Sequence, residues 1–342
     1  MRSYIFLTSL VVFFFVACSD PVEQESIKAL EAYEAGDYDK AIDLNKKVLE
    51  LDSNNLVTHY NLSVIYKEQG QSDAAIQHLE QILSFAAGEI NARRDLVQLY
   101  EDKGELDAAA TYLEELTTME EADAGTHARL GSLYQQQGKL EEALASSNNA
   151  LEMDSLNLQA LDNLAAVAES QGLLEHAITY HEKVLSIDSN HIKTYPVLSN
   201  LYSSTGNADQ AIAFGKKALE LFPDNIDMLN NMGFIYLELK DYPNALSYFT
   251  KVIVQDPKFA YAYNNKGYIL LQQKEYELAL VAIEKSLELD SDNAYAYRNM
   301  ALCYEQMGNK EACCEALAAA KNAKFRFRLQ EELENLSSKN CQ

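Results

Sequence analysis

Two stretches of the sequence hold residue types that could do chemistry, but their spacing argues against it. The stretch GSLYQQQGKL places six residues between its two glycines and a leucine after the lysine. A phosphate-binding loop needs four residues between those glycines and a serine or threonine after the lysine. His176 and His181 lie about 140° apart around a helix, which prevents them from ligating one metal ion together. We therefore expect no catalytic site, no metal and no cofactor.

The composition indicates which elements the chain builds. Its 342 residues include 13 Gly, 5 Pro and no Trp. Few turn-forming residues and many Ala, Leu and Glu favour helices throughout. The formal net charge is −24. Because nucleic-acid binding needs a clustered positive face, nucleic acid is not an expected partner.

A glycine recurs along the chain at intervals of 34 residues or multiples of 34. An alanine stands five residues after each glycine position, and Cys313 takes its place in the last unit. With Val22 as position 1, nine uninterrupted units end at Phe327, and Lys240 and Lys274 replace the glycine in the seventh and eighth. The glycines at position 15 are Gly36, Gly70, Gly104, Gly138, Gly172, Gly206 and Gly308, and the alanines at position 20 are Ala41, Ala75, Ala109, Ala143, Ala177, Ala211, Ala245 and Ala279.

The residue types within a unit predict two closely packed helices. The glycine ends the first helix because a left-handed residue closes the last turn without a Cβ penalty. Small residues at position 8 should meet the alanine at position 20, while tyrosine at position 11 fills the flanking space. Single helices of this length are marginal, so neighbouring units must share one core. The asparagines that can cap the next helix are Asn55, Asn157, Asn225 and Asn293.

A small residue at position 8, Tyr at 11, Gly at 15, Ala at 20 and Pro or Ser at 32 resemble the tetratricopeptide repeat. The resemblance implies an all-α, right-handed α-solenoid of about nine 34-residue helix-turn-helix repeats over residues 22–327, followed by a C-terminal capping helix and tail over residues 328–342. It also implies a concave groove, lined by the first helices, that receives an extended peptide or a partner's helix. Positions 2, 5, 6, 9 and 12 of each repeat should face that groove.

Two sets of side chains at those positions are candidates for binding a partner. Asparagine recurs at position 6, and a ladder of amides can bond a peptide backbone without demanding a sequence; alternatively it only follows the family pattern. Repeats seven to nine add aromatic residues, which supply large contact area at modest entropic cost or instead pack between repeats. The candidate groove residues are Asn231, Phe234, Tyr261, Asn264, Asn265, Tyr268, Tyr295, Arg298 and Asn299.

Two histidines, His59 and His127, fall at position 4 of their repeats. The repeat usually packs an aromatic side chain at this position. We therefore expect satisfied interface histidines rather than metal ligands.

The N-terminal stretch MRSYIFLTSLVVFFFVAC has one arginine and then a mostly apolar run. A helix needs about 20 residues to span a bilayer, so this shorter run resembles a secretory signal sequence. FVAC resembles the bacterial lipobox, with Phe15 in place of the preferred leucine. The resemblance implies removal of residues 1–17, acylation of Cys18 and a short tether over residues 18–21. The alternative is ordinary secretion without acylation.

Four further cysteines lie in the last repeat and the tail, and disulfides persist in exported proteins. Their pairing is open, because four cysteines allow three connectivities. Cys313 occupies the small position 20, so a buried thiol is favoured there over a bridge. A basic cluster (Lys321, Lys324, Arg326, Arg328) precedes the last helix and could meet lipid phosphates, or it only flanks a cap. The four cysteines are Cys303, Cys313, Cys314 and Cys341.

The sequence therefore predicts a non-enzymatic scaffold lipoprotein that binds a protein or peptide of the bacterial cell envelope in its groove. Ser19 after Cys18 favours the outer membrane, on its periplasmic or surface face. One alternative is a glycan- or solute-binding lipoprotein in which Tyr261, Tyr268 and Tyr295 stack on sugar faces. Another is an enzyme whose site is completed by a partner.

Overall fold

The computed structural model describes residues 20–119, 122–323 and 329–341, which form α-helices and no β-strand. This is the all-α repeat architecture that the 34-residue period predicts. Up to α18, odd-numbered helices are the first helices of the repeats and even-numbered helices the second. In chain order the helices are α1 (Pro21–Glu34), α2 (Tyr38–Leu51), α3 (Leu56–Glu68), α4 (Ser72–Phe85), α5 (Ile90–Lys103), α6 (Leu106–Thr117), α7 (Ala124–Gln136), α8 (Leu140–Met153), α9 (Leu158–Ser170), α10 (Leu174–Ile187), α11 (Thr194–Ser204), α12 (Ala208–Leu221), α13 (Ile226–Glu238), α14 (Tyr242–Gln255), α15 (Ala260–Gln272), α16 (Tyr276–Leu289), α17 (Ala294–Gln306), α18 (Lys310–Asn322) and α19 (Gln330–Asn340).

The chain divides into two compact units, Met1–Asn163 and Leu164–Gln342. The boundary falls within α9, and each unit is a stack of helical pairs. In the first unit, one apolar cluster joins α1, α2 and α3 through Ala29, Ala41 and Leu62. In the second, another cluster joins α12, α13, α14 and α15. Sharing a core between successive repeats is what makes such short helices stable.

Every repeat turns at a left-handed residue, as predicted. The seven glycines at position 15 have φ between 72° and 79°. Lys240 and Lys274 adopt the same conformation, with φ of 59° and 64°. The two lysine repeats therefore keep the turn geometry of the glycine repeats and accept the Cβ penalty of a left-handed residue.

The two helices of a repeat approach most closely at positions 8 and 20, as predicted. The alanines at position 20 are completely buried. A Cβ placed on Gly267 would lie 3.1 Å from the carbonyl oxygen of Ala279, and one on Gly131 would lie 3.3 Å from that of Ala143. In the sixth repeat the Ser199 hydroxyl fills the same gap and donates a 2.8 Å hydrogen bond to the Ala211 carbonyl.

In three repeats the tyrosine at position 11 links the repeat to the one before it, in addition to filling space. Its hydroxyl donates to a glutamate on the preceding second helix in three repeats: Tyr100 to Glu80 (2.9 Å), Tyr134 to Glu114 (2.6 Å) and Tyr202 to Glu182 (2.6 Å). Its ring also stacks on an aromatic side chain of its own repeat, with Tyr202 and Phe214 5.6 Å apart between centroids and Tyr236 and Tyr248 at the same distance. Burial and the Glu182 bond raise the pKa of Tyr202 to about 12.

The predicted helix caps are present. The Asn55 side chain accepts from the Thr58 N–H at 3.1 Å, and the Asn225 side chain accepts from the Met228 N–H at 2.8 Å. Asn157 and Asn293 cap α9 and α17 in the same way.

The last helix, α19, lies in register with the repeats. Glu332 follows Arg298 by 34 residues and accepts a 2.8 Å hydrogen bond from its Nε atom. Lys339 likewise pairs with Glu305 at 2.8 Å. Leu329 and Leu333 are buried against α18. The helix therefore takes the place that the first helix of a tenth repeat would have.

A disulfide joins Cys314 on α18 to Cys341, which directly follows α19, with Cα atoms 5.6 Å apart. It closes a segment of 27 residues, which in the chain-entropy account stabilises the folded state by about 3.5 kcal/mol. Cys303 and Cys313 are free and buried, so the buried thiol predicted at Cys313 is confirmed. Burial raises the pKa of Cys303 to about 11, so its thiol stays protonated at neutral pH.

The two left-handed lysines predict a stabilising substitution. Lys240→Gly should raise the free energy of unfolding by about 1 kcal/mol, because relief of the left-handed Cβ penalty exceeds the added entropy of glycine in the unfolded chain. Urea denaturation followed by circular dichroism measures the shift.

The matched control for Lys240→Gly is the reverse substitution in the same unit, Gly206→Lys. Gly206 has φ of 79° and nothing within 4 Å of a Cβ built on it, so only backbone conformation changes. It should lower stability by a similar amount. Equal midpoints for Gly206→Lys and the unsubstituted protein would contradict the account of these turns.

Candidate functional site

The first helices of repeats seven to nine, α13, α15 and α17, carry three exposed aromatic rings. Phe234, Tyr261 and Tyr295 are 40%, 49% and 41% exposed, whereas most large apolar side chains of these helices are buried. Two rings rest on buried or half-buried neighbours: Phe234 meets Phe249 edge-on with centroids 5.6 Å apart, and Tyr261 meets Phe259 at 6.4 Å. These contacts hold the rings in place and leave part of each available to a partner.

The buried asparagines of this region pair with one another. Asn264 and Asn299 are 5% and 3% exposed, and Asn299 Nδ2 donates to Asn264 Oδ1 at 2.9 Å. The sequence predicted that both amides would line the partner-binding groove. The structure instead gives them a bond between repeats eight and nine.

Asn265 and Asn230 occupy the equivalent two positions one repeat earlier. Asn265 Nδ2 is a buried donor without a hydrogen-bond partner, and Asn230 Oδ1 is a buried acceptor without one. This is the same donor and acceptor combination that bonds in Asn299 and Asn264, so each of these atoms has its complement at the equivalent position of the neighbouring repeat. No ligand is needed to account for these two atoms.

Three other position-6 side chains also bond to the preceding repeat. Asn231 Nδ2 donates to Asn200 Oδ1 at 2.9 Å, and Asn163 Nδ2 donates to the Ala128 carbonyl at 2.7 Å. In the fourth repeat, Arg129 Nε donates to Glu101 at 3.0 Å. These position-6 side chains thus connect successive repeats, so few amides of the predicted ladder stay available to bond a peptide backbone.

Arg298 binds the C-terminal helix. Its Nε atom donates to Glu332 on α19, its Nη1 atom donates to Asn299 Oδ1 at 2.8 Å, and its guanidinium lies 5.8 Å from the ring centroid of Tyr268. Tyr268 is half-buried beneath it. Arg298 and Tyr268 therefore hold α19 in place, and the accessible part of the predicted site reduces to Phe234, Tyr261 and Tyr295, with Asn231 beside them.

A second apolar surface lies on the first helices of repeats one and two, and the sequence reading missed it. Ile27 and Leu30 on α1 are 53% and 43% exposed, and Val57 and Val64 on α3 are 63% and 40% exposed. They occupy groove positions 6, 9, 2 and 9. The sequence signal for this aliphatic patch is the presence of Ile, Leu and Val at groove positions of the first two repeats.

The histidines form structural contacts. His59 is buried, and its Nε2 atom must carry a proton because it lies 3.1 Å from the Ser53 carbonyl, which can only accept. Its Nδ1 atom then accepts from His78 Nδ1 at 3.0 Å. Burial is the main cause that lowers the pKa of His78 to about 4. The expected satisfied interface histidine is confirmed at His59, while His127 is half-buried.

The part of the chain that the structure describes holds neither a metal-binding cluster nor a membrane-spanning helix. There, no group of three or more His, Cys, Asp or Glu side chains could hold a metal ion. None of the helices at residues 20–119, 122–323 and 329–341 is long and apolar enough to cross a bilayer. The proposed signal sequence, Cys18, and the basic residues Lys324, Arg326 and Arg328 lie outside the described residues.

Helical pairs at a 34-residue interval, with a left-handed turn and a buried alanine in each, define an all-α repeat protein that displays side chains on its first helices. Tetratricopeptide repeat models match residues 32–98, 66–133, 128–191, 202–266 and 260–293. The chain belongs to the tetratricopeptide repeat family. No curated protein matches it.

Solved structures share the fold. A tetratricopeptide repeat protein from Parabacteroides merdae is 21% identical, with a TM-score of 0.53 over 73% of this chain and 98% of that one. YrrB, described as a tetratricopeptide repeat protein with an unusual peptide-binding site, is 23% identical, with a TM-score of 0.50 over 54% of this chain and 95% of its own. Pseudomonas aeruginosa pilF is 18% identical, with a TM-score of 0.50 over 63% of this chain and 97% of its own. At these identities the similarity establishes the fold alone.

The paired asparagines predict a measurable loss of stability. Asn299→Ala leaves the buried Oδ1 atom of Asn264 without a donor, which should cost about 1–3 kcal/mol of unfolding free energy. Asn231→Ala is the control, because the bond from Asn231 to Asn200 is exposed and its removal should cost about 0.5 kcal/mol or less. Equal losses for the two variants in urea denaturation would contradict the structural role of the buried pair.

Proposed function

We propose that this protein is a non-enzymatic scaffold that binds a protein or peptide of the bacterial cell envelope. The observation that carries the proposal is the set of three exposed rings, Phe234, Tyr261 and Tyr295, on successive first helices of one compact unit. Protein and peptide binding is the common activity of tetratricopeptide repeat proteins, and YrrB is described as having a peptide-binding site. Partly buried aromatic anchors of this kind dominate the binding energy of protein interfaces.

The chemistry of the surface favours an apolar partner segment. The three exposed rings offer apolar area, while the nearby buried amides are bonded to the neighbouring repeat or placed to bond to it. Because Arg298 is engaged by Glu332, it does not present a free cation to a partner carboxylate. The partner is therefore an extended segment or helix whose aromatic or aliphatic side chains lie against Phe234, Tyr261 and Tyr295.

An acylated Cys18 would hold this scaffold at a membrane. The support is the sequence FVACS, in which a small residue precedes the cysteine after an apolar run. Attachment of two or three acyl chains gives stable anchoring where one chain does not. We place the protein at the outer membrane, on its periplasmic or surface face.

The binding proposal predicts that partner capture depends on the exposed rings. Tyr261→Ala combined with Tyr295→Ala should lower the yield of in-cell cross-linked product by roughly thirtyfold, since each lost anchor removes on the order of 1 kcal/mol of binding energy. Cross-linking followed by mass spectrometry measures the yield.

The matched control is Phe222→Ala, which removes a ring 39% exposed in the same unit but on the loop after α12. It should leave the cross-link yield unchanged. Equal yields from the double variant and the unsubstituted protein would overturn the assigned site. If no protein cross-links, and calorimetry shows heat with oligosaccharides that is lost in the double variant, these rings bind sugar faces and the scaffold proposal is wrong.

The anchor has its own test. Cys18→Ala should abolish incorporation of radiolabelled palmitate and release the protein from sedimented membranes, because the acylated thiol is removed. Cys341→Ser changes a cysteine at the other end of the chain and should retain both the label and membrane association. Persistent labelling of the Cys18→Ala protein would show that the lipid is attached elsewhere or that the segment acts differently.

A further inference from the structure

The aliphatic patch of repeats one and two forms one face on two neighbouring helices. Ile27 and Leu30 lie one helical turn apart on α1, and Val57 and Val64 lie two turns apart on α3. The two helices contact each other directly, because the Tyr33 hydroxyl on α1 donates to Glu68 on α3 at 2.9 Å. Residues of both helices also share one buried cluster. Exposed aliphatic side chains grouped in this way mark an interaction surface, whereas single ones need no explanation.

The length of chain between Cys18 and α1 limits how far this face can be from the anchor. Asp20 caps α1 by accepting from the Val22 N–H at 3.0 Å, and Pro21 is the first helical residue. Only Ser19 lies between Cys18 and the cap residue Asp20, so the Cα atoms of Cys18 and Asp20 can be at most about 7 Å apart. At a rise of about 1.5 Å per residue, Ile27 and Leu30 lie roughly 10 and 15 Å further along α1. An acylated Cys18 would therefore keep the start of α1 at the membrane surface.

We infer that the aliphatic patch on α1 and α3 rests on the lipid bilayer and forms a second membrane contact beside the acylated Cys18. The inference depends on the proposed acylation, which brings the patch to the lipid. An interfacial helix buries its apolar side about 5–10 Å into the boundary between headgroups and acyl chains, a depth that exposed Ile, Leu and Val side chains can reach. The anchor and the patch together fix the orientation of the first two repeats on the membrane.

The charges around the patch indicate which lipid surface it fits. Glu23, Glu31 and Glu34 are exposed on α1, with Lys28 exposed among them. The negative potential of an anionic leaflet would repel this carboxylate-rich rim. The occupant is therefore a zwitterionic lipid surface.

The absence of tryptophan from the sequence allows a direct test with single reporters. Val57→Trp places an indole at the most exposed patch position, and Ile27→Trp places one on the neighbouring helix. Val281→Trp is the matched control, because Val281 is 65% exposed on α16 and lies outside the patch. The full-length acylated proteins are purified from membranes and reconstituted into phosphatidylcholine vesicles with or without bromine on the acyl chains.

The tryptophans at positions 57 and 27 should emit at shorter wavelength in vesicles than in detergent-free buffer, where the protein has been freed of its acyl anchor. Bromine on the lipid acyl chains should reduce their fluorescence intensity roughly by half. The Val281→Trp emission should be the same in both kinds of vesicle. Use of two patch positions keeps the test decisive if one variant folds poorly.

Three outcomes separate this inference from the proposed anchor. If the proteins float with the vesicles but bromine quenches neither patch reporter, the anchor stands and the membrane contact of the patch is wrong. If a photo-cross-linker at position 57 captures a protein and bromine does not quench, the face belongs to a protein partner. If the proteins carry no acyl chain and do not float, the anchor and the inference both fail.

Discussion

The contact between positions 8 and 20 is the constraint on which each repeat depends. At Gly267 an added Cβ would lie 3.1 Å from the Ala279 carbonyl oxygen, and it would lie 2.5 Å from Ile283, four residues further along the second helix. The two helices can approach this closely only when one side offers no side chain or a very small one. That approach places the larger residues of the second helix under the first, and it leaves positions 2 and 9 of the first helix to face outward. Which side chains the first helices expose is thus a consequence of where the small residues stand.

Polar side chains near the groove mostly connect one repeat to the next. In three repeats the tyrosine at position 11 bonds a glutamate of the preceding repeat, and amides at position 6 bond its backbone or another amide. Where the bonded atoms are buried, as in Asn264 and Asn299, the bond is needed because a buried polar atom without a partner is costly. The large apolar side chains that stay exposed on the described first helices are aromatic rings in repeats seven to nine and aliphatic side chains in repeats one and two.

The sequence predicted the features that depend on residue type at one position. The turn at Gly138, the cap at Asn225 and the buried alanine at Ala177 each follow from local conformation or size, and all are present. The lysine turns also keep their geometry, because the flanking helices impose it on Lys240 and Lys274. The roles of Asn264, Asn299 and Arg298 were not predictable, because they depend on which atom of the adjacent repeat lies within 3 Å. A repeat period identifies the facing positions but does not say whether two amides face each other or the solvent.

The disulfide between Cys314 and Cys341 has a mechanical consequence. A pull applied to residue 341 is transmitted through the sulfur–sulfur bond to residue 314, at the first turns of α18. The helix α19 then carries none of the force, and the closed segment adds no length to the stretched chain. Without the bridge the same pull would act on the ion pairs of Arg298 and Lys339 and peel α19 away first. The covalent link thus moves the weakest point under load from the end of the chain into the repeats themselves.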